Sequence, residues 1–288
     1  MAPKIWDILS ETKRIIYTQP RHYLTLSLIF LLPPSFVSLL FNFLAKYLQQ
    51  QQPPPSPPPT YLILIFALVS ILLLLISSIF TLCAFISITY SVYHSFFKQP
   101  IKLKEAFKSI STFFFPSLAT DIIIFTIFFG VFLLFAHVIG AVSFLIAHIG
   151  GVVLRAHSFL ILVSLMVVFL IFIMYVGVHL SLVKVIVVVE SVWGLEPLRR
   201  SWKLVKGKKR LILSTCSLLG SLQSMLAWLT GYSWVLILVI SPILAMLSLY
   251  SMAVLTVLYI YCKEENEKLA EEEFAKEEDE ATLPLISS

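Results

Sequence analysis

Charge is what this chain has least of. Asp, Glu, Lys and Arg make up 13% of its 288 residues and hydrophobic residues 59%, with a mean hydropathy of +0.94. No soluble core of this size absorbs so much apolar side chain, so the balance excludes a water-soluble globular protein and implies an integral membrane one. Glycine is scarce as well, at nine residues, and no phosphate loop or dinucleotide fingerprint is present. The three cysteines, Cys83, Cys216 and Cys262, are odd in number and lie in or beside apolar runs. That excludes a disulfide framework and leaves Cys262, at a membrane edge beside Lys263, as the thiol placed for acylation. His22, His94, His137, His148, His157 and His179 form no helical-spacing pair with another metal-type ligand, so neither a metal nor a cofactor is expected. No nucleophile setting is recognisable. No stretch outside the apolar cores is much longer than the 27 residues from Lys184 to Arg210, which leaves no room for a separate soluble catalytic domain. The chain is not expected to be an enzyme.

What is present is a set of long apolar runs. A spanning helix needs about 20 apolar residues at ~1.5 Å rise each, and six segments qualify: 22–46, 61–93, 117–149, 157–189, 211–230 and 234–262. The expected fold is therefore all-α, a six-span polytopic membrane domain over 1–262 followed by an acidic tail over 263–288 with ten acids and three lysines. An even span count puts both termini and the 94–116 and 184–210 loops on one side. That side holds 19 of the 21 Lys and Arg, all but Lys46 and Arg155, so it is read as cytoplasmic. The first segment lacks a cleavage pattern and reads as a signal-anchor. The membrane is the endoplasmic reticulum, another endomembrane or the plasma membrane. Counting 138–154 as a seventh span would move the basic cluster to the outer face. One long third helix ending at Gly150-Gly151 is preferred. Pro33-Pro34 and Pro242 predict kinks in the first and sixth spans, and "QQQQPPPSPPPT", 49–60, predicts an extended outer spacer.

Short amphipathic stretches precede the first, third and fifth spans, giving three expected cytoplasmic interfacial helices. Ile5, Ile8, Leu9, Thr12, Ile15 and Ile16 form one apolar stripe; Leu103, Ala106, Phe107, Ile110 and Phe114 a second; Leu195, Leu198, Trp202 and Val205 a third. Glu11-x-x-Arg14, Glu105-x-x-Lys108 and Glu196-x-x-Arg199 recur at separations of 94 and 91 residues, a pattern that duplication of a helix-plus-hairpin unit and convergence would both produce. The third stretch continues into a cluster of seven Lys or Arg within the twelve residues from Arg199. In a soluble protein such a run would suggest nucleic acid. Between membrane spans it predicts a helix in the headgroup region of the anionic cytoplasmic leaflet, with Arg199, Arg200, Trp202, Lys203 and Lys206 as the binding residues and the lipid bilayer, not nucleic acid, as the partner.

The segments "VVVESVWGLEPLRRSWKLVKGKKRLIL", "IKLKEAFKSISTFFFPSLATD" and "TQPRHYLTLSLIFLLPPS" resemble an uncharacterised family of plant multi-pass membrane proteins. More distantly, they are similar to the membrane domain attached to some bacterial glycerophosphodiester phosphodiesterases. The resemblance implies a six-span architecture without an assigned reaction, and no catalytic residue carries over.

Ionisable groups within spans are where transport chemistry would lie. Asp121, His179, Lys184, Glu190 and Gln223 are the candidates. Asp121 with Lys184, and Glu190 with the basic helix, are expected as structural pairs, and Gln223 as an interhelical partner. The reading is a non-catalytic protein organising membrane or partners in the endomembrane system. The alternative is a transporter or channel for a small solute or lipid, with Asp121, His179 and Gln223 near its path.

Overall fold

The computed structural model of the chain describes residues 5–50, 60–99, 101–148, 158–230 and 233–282. Every regular element among them is helical. Long apolar runs fold this way because a bilayer offers no water to backbone N–H and C=O groups, and a helix satisfies them within one segment. α1 (Ile5–Thr18) is followed by α2 (Pro20–Leu26), a π-helical turn (Ser27–Leu31) and α3 (Leu32–Gln50). Then come α4 (Thr60–Phe96), α5 (Leu103–His148), α6 (Ser158–Leu180), α7 (Val183–Glu190), α8 (Glu196–Val205), α9 (Lys209–Leu229) and α10 (Trp234–Thr282). Six stretches are long and apolar enough to cross a membrane: Pro20–Leu44, Ala67–Phe96, Leu103–Ile146, Leu160–Glu190, Lys209–Leu229 and Trp234–Lys268. The chain is an all-α, multi-pass integral membrane protein, as its apolar runs predict.

α10 is the axis of the bundle and touches α1, α3, α4, α7, α8, α9 and the π-helical turn. Its buried residues Leu249, Ala253, Val257 and Leu258 meet Ile8, Tyr23, Leu26, Ile88, Val185 and Ile186 in the main core. α1 docks by Ile8, Thr12 and Ile15, and the Tyr250 hydroxyl donates to the Leu9 carbonyl (2.8 Å). Trp6 and Tyr17 remain exposed. α5 and α6 pack on one another, with Phe135 stacked on Phe169 (4.2 Å), and both carry many exposed apolar side chains.

Several elements depart from expectation. The second amphipathic stretch is not a separate interfacial helix, because α5 runs unbroken from Leu103 through Pro116. No helix stop lies between Leu103 and Phe115, whereas Pro20 follows the first stretch and Gly207 the third. Pro116 removes one helical hydrogen bond and the helix tolerates the loss. In the first span the irregularity precedes the prolines: Pro33 and Pro34 cannot donate to Ile29 and Phe30, and the preceding turn widens, with the Leu32 N–H reaching Ser27 O. The fourth segment breaks between α6 and α7, where both the N–H and the hydroxyl of Ser181 turn back to Val178 O (3.4 and 2.8 Å). Pro242 lies inside the continuous α10. The acidic tail begins as helix, α10 continuing 20 residues past the end of the span at 262 through a run rich in Glu, Lys and Ala, which favour helix. Cys262 is 3% exposed, so its thiol is core rather than a membrane-edge acylation site. Most of the 49–60 spacer, Gly150-Gly151 and Arg155 lie outside the described residues.

Candidate functional site

The candidate site is the junction of α7, α8 and α10 at the basic end of the bundle. α7 ends at Glu190, with Ser191 in the left-handed conformation (φ 56°) turning the chain. α8 is bracketed by Gly194 (φ 84°) and Gly207 (φ 107°). A Cβ added to either would meet nothing within 4 Å, so backbone angle rather than space demands glycine there. Pro197 in the first turn needs no donor, and Glu196 beside it faces the positive helix end.

Glu190 is the hub. Its side chain is 14% exposed and accepts from the Tyr259 hydroxyl (2.5 Å) and Lys263 Nζ (3.4 Å) on one oxygen, and from Arg200 Nη1 (2.5 Å) on the other. Three helices meet on one carboxylate. Arg200 also donates to Glu196 (3.0 Å). Its pKa rises above the ordinary arginine value, first through the hydrogen bond it donates to Glu190 and then through the one it donates to Glu196. Lys208 pairs with Glu265 across the same junction. The sequence pairing of Glu190 with the basic helix is present, and it runs through Arg200. Tyr259 and Lys263 were not anticipated, since they sit 69 and 73 residues away and no local spacing marks them.

The apolar stripe as a whole does not seat α8 on the bundle. Pro197, Ser201 and Val205 are buried, and the Ser201 hydroxyl donates to His179 O (2.6 Å), which turns the helix so that Leu195 is 68% and Trp202 45% exposed. Val205 is the stripe residue that is buried there. Trp202 stacks by one face on the His179 ring (3.8 Å), and its other parts face outward. At ~100° per residue, Arg199, Lys203 and Lys206 share a neighbouring exposed arc, while Arg200 lies at the far edge toward Glu190. None of those three has an ion-pair partner among the described residues. The repeated motifs diverge too: Glu11 pairs with Arg14 (2.5 Å) but Glu196 pairs with Arg200 rather than Arg199.

The other candidates do not converge on one cavity. Lys184 of α7 pairs with Asp121 of α5 (3.0 Å) and lies over the Phe85 ring (5.9 Å). Thr120, next to Asp121, accepts from the Gly194 N–H (3.4 Å). Gln223 of α9 donates to Ser248 and Ser251 of α10 (3.5 and 3.4 Å). His179 is 1% exposed, with both ring nitrogens unpartnered among the described residues. No group of three or more His, Cys, Asp or Glu among the described residues could hold a metal ion. Comparison with family models, with curated proteins and with solved structures gave no match.

Proposed function

We propose that this protein is a non-catalytic integral membrane protein that organises anionic lipid, or partners gathered by it, at the cytoplasmic leaflet of an endomembrane. The observation that carries the reading is the seating of α8. Its inner edge and Arg200 are fixed to the bundle, and Arg199, Lys203 and Lys206 face outward beside the exposed Trp202 and Leu195. A docked helix presents this surface without the ordering cost of a free peptide. Each lysine or arginine near an anionic surface contributes on the order of 1 kcal/mol. The pairing of Asp121 with Lys184, of Glu190 with Arg200 and of Gln223 with α10 supports structural roles for these groups over a transport path. The excess of basic residues on the side of both termini supports a cytoplasmic location for α8.

The test is reconstitution of the full chain in vesicles carrying traces of labelled anionic and zwitterionic lipid. Anionic lipid should be enriched around the protein, and the enrichment should fall as salt rises, since exposed charges are screened within ~8 Å at physiological ionic strength. Replacing Arg199, Lys203 and Lys206 together by Gln should abolish it. Equal enrichment of both lipids would refute the reading. Reporters in the 49–60 segment should be lumenal or extracellular and a reporter at Lys208 cytoplasmic; a lumenal reporter at Lys208 would refute the orientation.

A further inference from the structure

Between α6 and α9, with an edge from α5, lies a lateral cleft of about 460 Å³, lined by Phe128, Ile173, Gly177, Leu213, Cys216 and Gly220 among others. This is within the range of small-molecule sites, ~300–1,000 Å³. Small residues between membrane helices ordinarily let two backbones approach closely. Here they do the opposite. A Cβ added at Gly177 or Gly220 would meet nothing within 4 Å, so both glycines hold a gap open instead of filling it. Their neighbours Ser217, Ser221 and Ser224 on α9 also line the gap and are likewise too short to close it. A mostly apolar gap opening sideways within the spans is filled by hydrocarbon in a bilayer, because an empty one forfeits dispersion contacts along its walls.

The end of the cleft toward α8 is polar. Lys209 stands one turn before Leu213 on the same face of α9, since residues four apart on a helix lie one above the other. It is held 5.0 Å over the Tyr175 ring and 3.4 Å from the Tyr175 hydroxyl. Among the described residues no carboxylate pairs with it, whereas the adjacent Lys208 is taken by Glu265. At the same level the buried His179, with both ring nitrogens unpartnered, is enclosed by Tyr175 and Trp202.

The geometry points to a binding site for one anionic glycerolipid, its acyl chain lying in the α6–α9 cleft and its phosphate on Lys209. Charge complementarity selects the headgroup: a single unpaired ammonium over an apolar slot matches an anionic phosphate on a chain. The site is distinct from the outward arc of α8 and does not rest on the surface reading.

The test uses the full chain, reconstituted in equal parts phosphatidic acid and phosphatidylcholine, re-extracted in mild detergent and analysed for retained lipid. The native chain should retain phosphatidic acid over phosphatidylcholine by about fivefold, the factor equivalent to ~1 kcal/mol from one lysine. Lys209→Gln should bring that ratio to about one while retention continues. Gly177→Leu with Gly220→Leu puts side chains into the gap and should expel both lipids from a monodisperse protein whose anionic enrichment in vesicles is unchanged. The triple Gln variant of α8 should lose that enrichment and keep the retained lipid, which separates the two readings. Equal retention of both lipids by the native chain, or undiminished retention after the cleft is filled, would overturn the proposal. A double Leu variant that fails to fold leaves the decision to Lys209→Gln, where an unchanged ratio would also overturn it.

Discussion

The third and sixth spans are both strongly apolar, yet they fare differently on folding. The best spanning window of the third has a mean hydropathy of 2.8 and none of it is buried in the protein; the sixth, at 2.3, has a third of its window buried. The fourth span is the most apolar of all, at 2.9, and has 11% buried. In water the ranking would be reversed. In a bilayer, lipid tails solvate Leu and Phe as well as a protein core does, so apolar content alone drives no association. What the buried regions share is small, β-branched and hydroxyl-bearing side chains. The contrast recurs within α4, where Leu64, Leu68, Leu72 and Leu75 face outward while Ala84, Ser87, Thr89 and Ser91 are buried, with Thr89 accepting from Thr256 (3.5 Å).

The contrast can be broken by side-chain deletion in both regions, followed by reversible unfolding in mixed micelles. Leu258→Ala, at a position that is 0% exposed, should cost about 3 kcal/mol. Leu134→Ala on the outward face of α5, 68% exposed, should stay within about 0.5 kcal/mol. Equal costs would mean that the α5–α6 limb is packed against something in the membrane. Glu190→Gln comes next, at about 2 kcal/mol, because it leaves Arg200 and Lys263 facing a neutral side chain. Glu190→Asp should recover part of the loss, and a full loss with Asp would show that reach rather than charge holds the hub. Asp121→Asn should cost about 1 kcal/mol, since its pair with Lys184 is partly exposed. Unchanged stability together with a lost solute flux would favour the transporter reading. Gly207→Ala should cost a similar amount, about 1 kcal/mol for the left-handed backbone at φ 107°, read as a lowered unfolding midpoint.

The spans were legible because their signal is local: each is a run of apolar residues longer than the bilayer requires. The Asp121–Lys184 and Glu190–basic helix pairs were legible for a related reason, since few charged groups sit in or near the spans and each has few partners to choose from. The seating of α8 was not. Periodicity puts Leu198, Trp202 and Val205 on one apolar side, but the contact with the bundle is decided by the Ser201 hydroxyl meeting the His179 carbonyl near the end of α6, a group that no pattern within α8 reveals. Tyr259 and Lys263 were missed similarly, because they lie at the seam between an apolar span and a polar tail and read as the edge of each. The α6–α9 cleft escaped because glycines look the same in sequence whether they admit a neighbour or keep one away.

α10 has 49 residues in one helix, a rod ~74 Å long at 1.5 Å per residue. The sixth span and the extension through Thr282 are thus a single shaft. Any turn of the span about its axis is transmitted, angle for angle, to the part beyond the membrane, and a tilt of the span is magnified there in proportion to length. Glu265, clasped by Lys208, is the bearing in which that shaft is held.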